Sequence, residues 1–333
     1  MLFQKFILTV AITAASVATA QAEMSEITIA RQPSLGHLPL MIMEDQQLLQ
    51  QRAAALGVEG LKVNFATLAG GAAMNDALLS NSIQFAAGGV PPLLVLRERT
   101  EGRSTEVKGV SAMNSMPMLL NSNKKEIKSI ADFTSADKIA LPAVKVSLQA
   151  IVLQMAAEQE FGEGEHERLD QFTVTMSHPD GMAALTAGHE ITAHFTASPI
   201  QELEVQNEDI HTVLNSYDVL GGPASFNVIW ATSTFKEQNP LIYHAFTESL
   251  EKAIGILNSD TDVAVDTYVR LGGDSTTPDL VRQIITDPEV NYTTTPNNVG
   301  KFLDFMTRIG MLKSEGVTWQ DVFFENVHDK PGN

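Results

Sequence analysis

The strongest constraint on this chain is a repeated local order: a short apolar run suited to a strand, a turn containing glycine, then a segment with apolar residues at helical spacing. Residues 27–31, the turn Ser34-Leu35-Gly36-His37 and residues 38–56 make the first such unit, and residues 63–66, Ala69-Gly70-Gly71 and residues 72–79 the second. Residues 83–86, the turn Gly88-Gly89 and a helix opened by Pro91-Pro92-Leu93 make the third. Proline is tolerated in a first helical turn because its missing N–H has no partner there. Strands alternating with helices predict α/β lobes built around a mostly parallel sheet. The middle of the chain continues the scheme with a strand over 139–142, a turn over 143–147 holding the cap region at Val146 or Ser147, and a helix over 148–161. A strand over 172–176, a helix opened by His178-Pro179-Asp180, a strand over 191–195 and a helix starting at Pro199 follow. Residues 213–217 and 226–231 read as extended segments around the joint Gly221-Gly222-Pro223, and everything from Asn239-Pro240 onward reads as helical.

The repetition has electrostatic content. A helix N-terminus leaves backbone N–H groups unpaired and carries about half a positive charge, so several of them meeting at the carboxyl edge of one sheet form a pocket for an anion or polar head group. The plain alternative is that each glycine only makes a tight turn.

Composition removes several classes of function. With 22 Lys plus Arg against 40 Asp plus Glu the net charge is −18, which repels phosphate backbones, and the longest basic run is Lys124-Lys125; a nucleic-acid partner is not expected. The 333 residues, 44% of them hydrophobic, suffice for about two domains with ordinary cores. There is no cysteine, hence no disulfide, thiolate metal site or cysteine nucleophile, and folding in an oxidising compartment carries no hazard. The compartment is read at the N-terminus: Lys5, an apolar stretch over residues 6–17 and the small-x-small site Ala20-Gln21-Ala22 have the form of a secretory signal peptide over residues 1–22, cut after Ala22. The stretch is short of the ~20 residues of a membrane span, and Glu23 and Glu26 follow it without a basic flank. A soluble, acidic, exported protein is expected.

The ordered set Ser34-Leu35-Gly36-His37-Leu38-Pro39-Leu40, Ala77-Leu78-Leu79 after Gly70-Gly71, Asp180-Gly181-Met182-Ala183-Ala184-Leu185 and Ile191-Thr192-Ala193-His194 resembles the nitrate/sulfonate/taurine-type periplasmic substrate-binding proteins of ABC importers. The segment 235–240 and the helix over 246–256 resemble the C-terminal half of that family, so that the likeness runs over residues 25–325. The resemblance implies a type II periplasmic-binding-protein fold: two α/β lobes joined by two crossover strands with a ligand cleft between them. Lobe 1 would comprise residues 23–114 plus 224–333 and lobe 2 residues 115–223, with crossovers near Asn114-Ser115-Met116-Pro117 and Gly221-Gly222-Pro223. It also implies ligand contacts at Leu35, Gly36, His37, Gly70, Gly71, Gly89 and Val90 in lobe 1, and at Val146, Ser147, His178 and His194 in lobe 2. Backbone N–H groups of residues 70–72 and 146–147 would grip an anionic head group, Ser147 would add a hydroxyl, and the histidines would add polar contacts. The implied function is capture of a small organic anion, sulfonate- or taurine-like, by hinge closure and delivery to ABC permease subunits, by a monomer without a cofactor. Where relatives often carry Trp or Tyr after the lobe 2 strand end, this chain has His194-Phe195. Nitrate, bicarbonate or a pyrimidine-like ligand are alternatives, as is a ligand-sensing subunit.

Other readings have less behind them. Lys145 beside Ser147 is either a charge partner for the anion or a solvated turn residue, and the histidines at 189 and 194 lack helical metal-ligand spacing. The acidic excess reads as a solubilising surface rather than attraction for a cation. Thirteen methionines, with Trp230 and Trp319, read as packing residues. Ser147 has no catalytic partner at motif spacing, and neither a Gly-x-Ser-x-Gly elbow nor a His-Glu-x-x-His site occurs, so an enzyme is not expected.

Overall fold

The computed structural model describes residues 23–68, 70–272 and 276–333; the expected signal peptide over residues 1–22 and Ala69 of the second turn lie outside the described residues. Strand β1 (Glu26–Arg31) leads through a single 3-10 turn (Leu35–His37) into α1 (Leu38–Asp45) and α2 (Leu48–Ala55). The sequence pattern predicts one helix over 38–56, but Gln47 adopts a left-handed conformation (φ 50°) that divides it. There follow β2 (Lys62–Thr67), α3 (Gly71–Leu79), β3 (Phe85–Gly88), α4 (Val90–Thr100) and β4 (Val107–Ser115). The chain then enters a second sheet with β5 (Leu119–Ser122), β6 (Ile139–Leu141), α5 (Leu148–Phe161), β7 (Thr173–Thr175), α6 (His178–Ala187), β8 (Ala193–Phe195), α7 (Ile200–Val205), β9 (His211–Asn215) and α8 (Ser216–Leu220). It returns through β10 (Ser225–Thr232), α9 (Ser233–Gln238), α10 (Pro240–Ser259), α11 (Thr261–Leu271), α12 (Pro278–Ile285), β11 (Asn291–Tyr292), α13 (Val299–Arg308) and α14 (Trp319–Val322).

The first sheet has the order β11-β4-β10-β3-β1-β2 and the second β7-β6-β8-β5-β9. Both are mixed rather than mostly parallel: β1 runs parallel to β2 and β3, whereas β10 is antiparallel to β3 and β4. In the second sheet β6 is parallel to β7 and β8, and β5 is antiparallel to β8 and β9. The reason is connectivity. The local strand-helix-strand units make parallel pairs, but β10 arrives after an excursion through the other sheet and is free to run in reverse. The C-terminal region is not wholly helical either, since β11 adds an edge to the first sheet at Ser115 and Asn114.

Two α/β lobes result. Lobe 1 packs α1, α10 and α11 around the first sheet, with Phe85 stacked on Phe246 at 3.8 Å and against Phe235 at 5.1 Å. Trp230 on β10 is fully buried, and its Nε1 donates to Asn75 of α3 at 3.1 Å. Among the described residues no helix is long and apolar enough to cross a membrane.

Candidate functional site

The carboxyl ends of β1, β2 and β3 point three helix starts of lobe 1 at lobe 2, where α5 and α6 begin. The caps differ in chemistry. The N-caps of α3 and α4 are Gly70 and Gly89, neither of which supplies a side-chain cap, while those of α5 and α6 are Ser147 and Ser177, whose hydroxyls accept from Ala150 N and Asp180 N respectively. In α4 the second and third positions are Pro91 and Pro92, so only Val90 offers an amide there. The first amides of α3, starting at Gly71, are therefore left without any side-chain cap at the cleft, whereas Ser147 takes up one amide of α5, that of Ala150.

The cleft between the lobes is nearly shut, with a cavity of about 20 Å³, room for about one water. Gln32, Ser34, His37, Gly71, Ala72, Gly89 and Pro92 line it from lobe 1, with Phe226 and Asn227 from the start of β10. Pro142, Ala143, Val146, Ser147, Leu148, Gln149 and His178 line it from lobe 2. Six of the residues implied by the family resemblance thus meet here: His37, Gly71, Gly89, Val146, Ser147 and His178. The other five stand behind the lining. Leu35 N donates to Ser198 O at 2.9 Å across the lobes, and Gly36 O accepts from Asn114 Nδ2 at 2.5 Å. Gly70 caps α3 and lies near Pro142 O, Val90 is buried in the core, and His194 is fully buried, its Nδ1 2.5 Å from Glu204 Oε1.

Two details change the roles the sequence suggests. Ser147 N donates to Ala143 O at 3.1 Å and is spent within the turn, so the amide of residue 147 does not face a ligand. Lys145 is an exposed left-handed residue (φ 67°) with its Nζ 3.8 Å from Glu167, outside the lining. Among the described residues no group of three or more potential metal ligands gathers.

Both lining imidazoles are neutral at physiological pH. Burial lowers His37 to about 4, with Arg31 adding to the effect against a bond to the Ala87 carbonyl. Burial, then the neighbouring His194 and His37, lowers His178 to about 3, and its Nδ1 lies 2.7 Å from Thr196 Oγ1. At the seam beside the cleft Ser34 Oγ donates to Ser198 O at 3.2 Å, and Ser198 Oγ donates to Glu202, whose carboxyl burial pushes up.

Gln32, Phe226 and Asn227 were not found by sequence reasoning. Gln32 adjoins the end of β1 and follows the same strand-end rule as its neighbours. Phe226 and Asn227 reach the cleft only because β10 returns antiparallel beside β3, which no local pattern announces.

No protein-family model and no curated protein matches the sequence. Solved structures do match in fold. The alkanesulfonate-binding protein SsuA from Xanthomonas axonopodis pv. citri bound to MOPS superposes with a TM-score of 0.70 at 17% identity, over 87% of this chain and 95% of that one. The periplasmic nitrate-binding protein NrtA from Synechocystis PCC 6803 gives 0.70 at 14%, over 88% and 84%. The periplasmic aliphatic sulphonate-binding protein SsuA from Escherichia coli gives 0.66 at 15%, over 92% and 99%. Identities so low speak to architecture alone, and the architecture, two α/β lobes facing each other across a cleft, is the periplasmic-binding-protein fold.

Proposed function

We propose that this chain is the exported substrate-binding component of an ABC importer, that it has no catalytic role, and that it holds a small organic anion of the sulfonate or taurine type. The observation that carries the ligand class is the uncapped start of α3 at Gly70-Gly71, set in a buried cleft whose lining includes no acidic side chain among the described residues. Amides in a dry site stabilise negative charge without a counter-ion of their own. Nitrate and bicarbonate use the same donors and remain alternatives within this class.

In this reading lobe 1 (23–114 plus 224–333) and lobe 2 (115–223) part to admit ligand and close on it, bending where the chain passes between sheets, over 116–118 and 216–224. Residues 1–22 direct export and are removed after Ala22. Ser147 caps α5 and turns its hydroxyl proton to the ligand. Delivery to permease subunits follows from the class of transporter, not from a surface feature.

A thermal-shift panel of sulfonates, carboxylates, inorganic anions, pyrimidines, amines and divalent metals tests the ligand class. A ligand at about 100 times its Kd adds roughly 2.7 kcal/mol of stability. Stabilisation confined to anions supports the proposal; stabilisation by amines or metals alone overturns it. N-terminal sequencing of the exported protein checks the cut after Ala22.

A further inference from the structure

His37 sits where a ligand meets lobe 1, and its tautomer is set by its neighbour. The ring is 1% exposed and lines the cleft, and its Nε2 lies 3.2 Å from the carbonyl oxygen of Ala87 on β3. A carbonyl only accepts, so Nε2 carries the proton, and burial keeps the ring neutral. In that tautomer Nδ1 is a bare lone pair. It is buried and has no partner within the protein. A buried acceptor left unmet is costly, and a ligand that meets it is favoured over one that does not.

The surroundings narrow what can meet it. The hydroxyl of Ser34 gives its proton to Ser198 O, and the second unpartnered atom in the lining, Asn227 Oδ1, is also an acceptor, pressed against Gly36. The Asn227 amide can be turned end for end, but His37 cannot without breaking its bond to Ala87. A positively charged donor is poorly placed. Among the described lining residues none is a carboxylate, and Arg31 is near enough to oppose positive charge on the ring.

We propose that the ligand carries a neutral O–H or N–H donor beside its anionic head group and bonds it to His37 Nδ1, so that the cleft selects hydroxy- or amide-bearing small anions over anions that only accept. The inference rests on the anion-binding reading above and adds a specificity determinant to it. Nitrate and unsubstituted alkanesulfonates leave Nδ1 unmet; hydrogencarbonate, hydroxyalkanesulfonates and hydroxy acids satisfy it. Taurine brings a charge with its donor and gains little.

Calorimetry of the purified protein with matched pairs tests this: ethanesulfonate against 2-hydroxyethanesulfonate, acetate against glycolate, and taurine alongside, each in two buffers of different ionisation enthalpy. The hydroxy member is expected to bind about 10- to 100-fold tighter, without proton uptake at pH 7.5. His37→Leu is expected to bring the ratio close to one, and His37→Gln, which keeps both an N–H and an acceptor oxygen, to preserve most of it. Equal affinity within each pair, or uptake of a proton on binding that turns the imidazole itself into the donor, overturns the proposal while leaving the anion site standing. If no anion of either kind binds, the site reading falls and this inference with it. Should His37→Leu fail to fold, the wild-type ratio and the proton count still decide.

Discussion

The two walls of the cleft are made of the same element, a strand end feeding a helix start, yet they leave opposite chemistry exposed. Lobe 1 caps α3 and α4 with glycine, at 70 and 89, and so leaves their first amides without a side-chain partner, while Ser34 caps its first 3-10 turn by accepting from Gly36 N. Lobe 2 caps its helices with serine, at 147 and 177, and so takes up one first-turn amide of each, those of Ala150 and Asp180. A serine cap is worth about 1 kcal/mol relative to alanine, and glycine comes within a few tenths of it, so lobe 1 gives up little stability to keep its donors free. In the proposed function, lobe 1 supplies the amides that grip the ligand and lobe 2 closes over it.

The contrast can be broken most severely at Gly89. A Cβ there meets Leu148 of α5 at 2.8 Å, a contact between lobes rather than within one. Gly89→Val is expected to weaken ligand binding by about 100-fold or more while the melting temperature falls by only a few degrees, the cost of about 1 kcal/mol for a poorer cap on α4, as read by calorimetry beside a thermal melt. Gly71 is unsuitable for this purpose, because its Cβ meets Pro92 at 2.6 Å inside lobe 1 and would damage packing there. Gly70 offers a gentler test. Its backbone is extended (φ −180°), a conformation open to any residue, and a Cβ there finds only Pro142 O at 3.9 Å. Gly70→Asp gives α3 a carboxylate cap: stability is expected to rise by a few tenths of a kcal/mol while anion affinity falls about 10-fold or more. Unchanged affinity in that variant would mean that the α3 amides do not hold the ligand.

Acid sharpens the comparison in another way, because each wall of the cleft holds one buried neutral imidazole, His37 and His178. The unfolded chain takes up protons on His37 and His178 near pH 6.5, whereas the folded chain resists until about 4 and about 3. Stability should therefore fall as pH drops from 6.5 toward 3, with no contribution from these groups above that window. His178→Gln should flatten the slope of melting temperature against pH. The smallest effect is expected at the rim, where Arg308 of α13 makes two bonds, at 2.7 and 2.5 Å, to Glu158 of α5. This pair joins the lobes but is half-open to water on the arginine side. Arg308→Ala should weaken binding no more than a few-fold, and less still at high salt, in a titration at two ionic strengths.

Much of this molecule can be read from local pattern. The helix Leu148–Phe161 and its Ser147 cap are visible as a polar residue ahead of an apolar-periodic run, and the Gly70 and Gly89 turns mark where strands hand over to helices. Burial partners are not visible in that way. His194 reads as a polar strand-end residue like His37 and His178, but it is placed in the core by a carboxylate ten residues away on α7 and by Gly181, whose missing Cβ leaves room for its ring. Likewise β4 and β5 are hard to see, since their polar residues Asn114 and Asn121 suggest loops. In the fold these are fully buried and hydrogen-bonded to Gly36 O and to Gln201 O with Glu204 respectively. Long-range partners decide which polar residues are tolerated inside.

The placement of β10 between β3 and β4 has a consequence for the order of assembly. Strand β4 pairs with β10 and β11 and bridges to Phe323 at Gly109, and all three partners follow the whole of the second sheet in the chain. As the polypeptide emerges from its N-terminus, β1, β2 and β3 can associate at once, and β4 must wait more than a hundred residues for its first neighbour, Asn227 opposite Asn114 among them. The inserted lobe is complete by then. Such a topology concentrates non-local contacts in the centre of one sheet and slows its closure, so the last part of the first sheet to form is the one that carries Phe226 and Asn227 to the cleft.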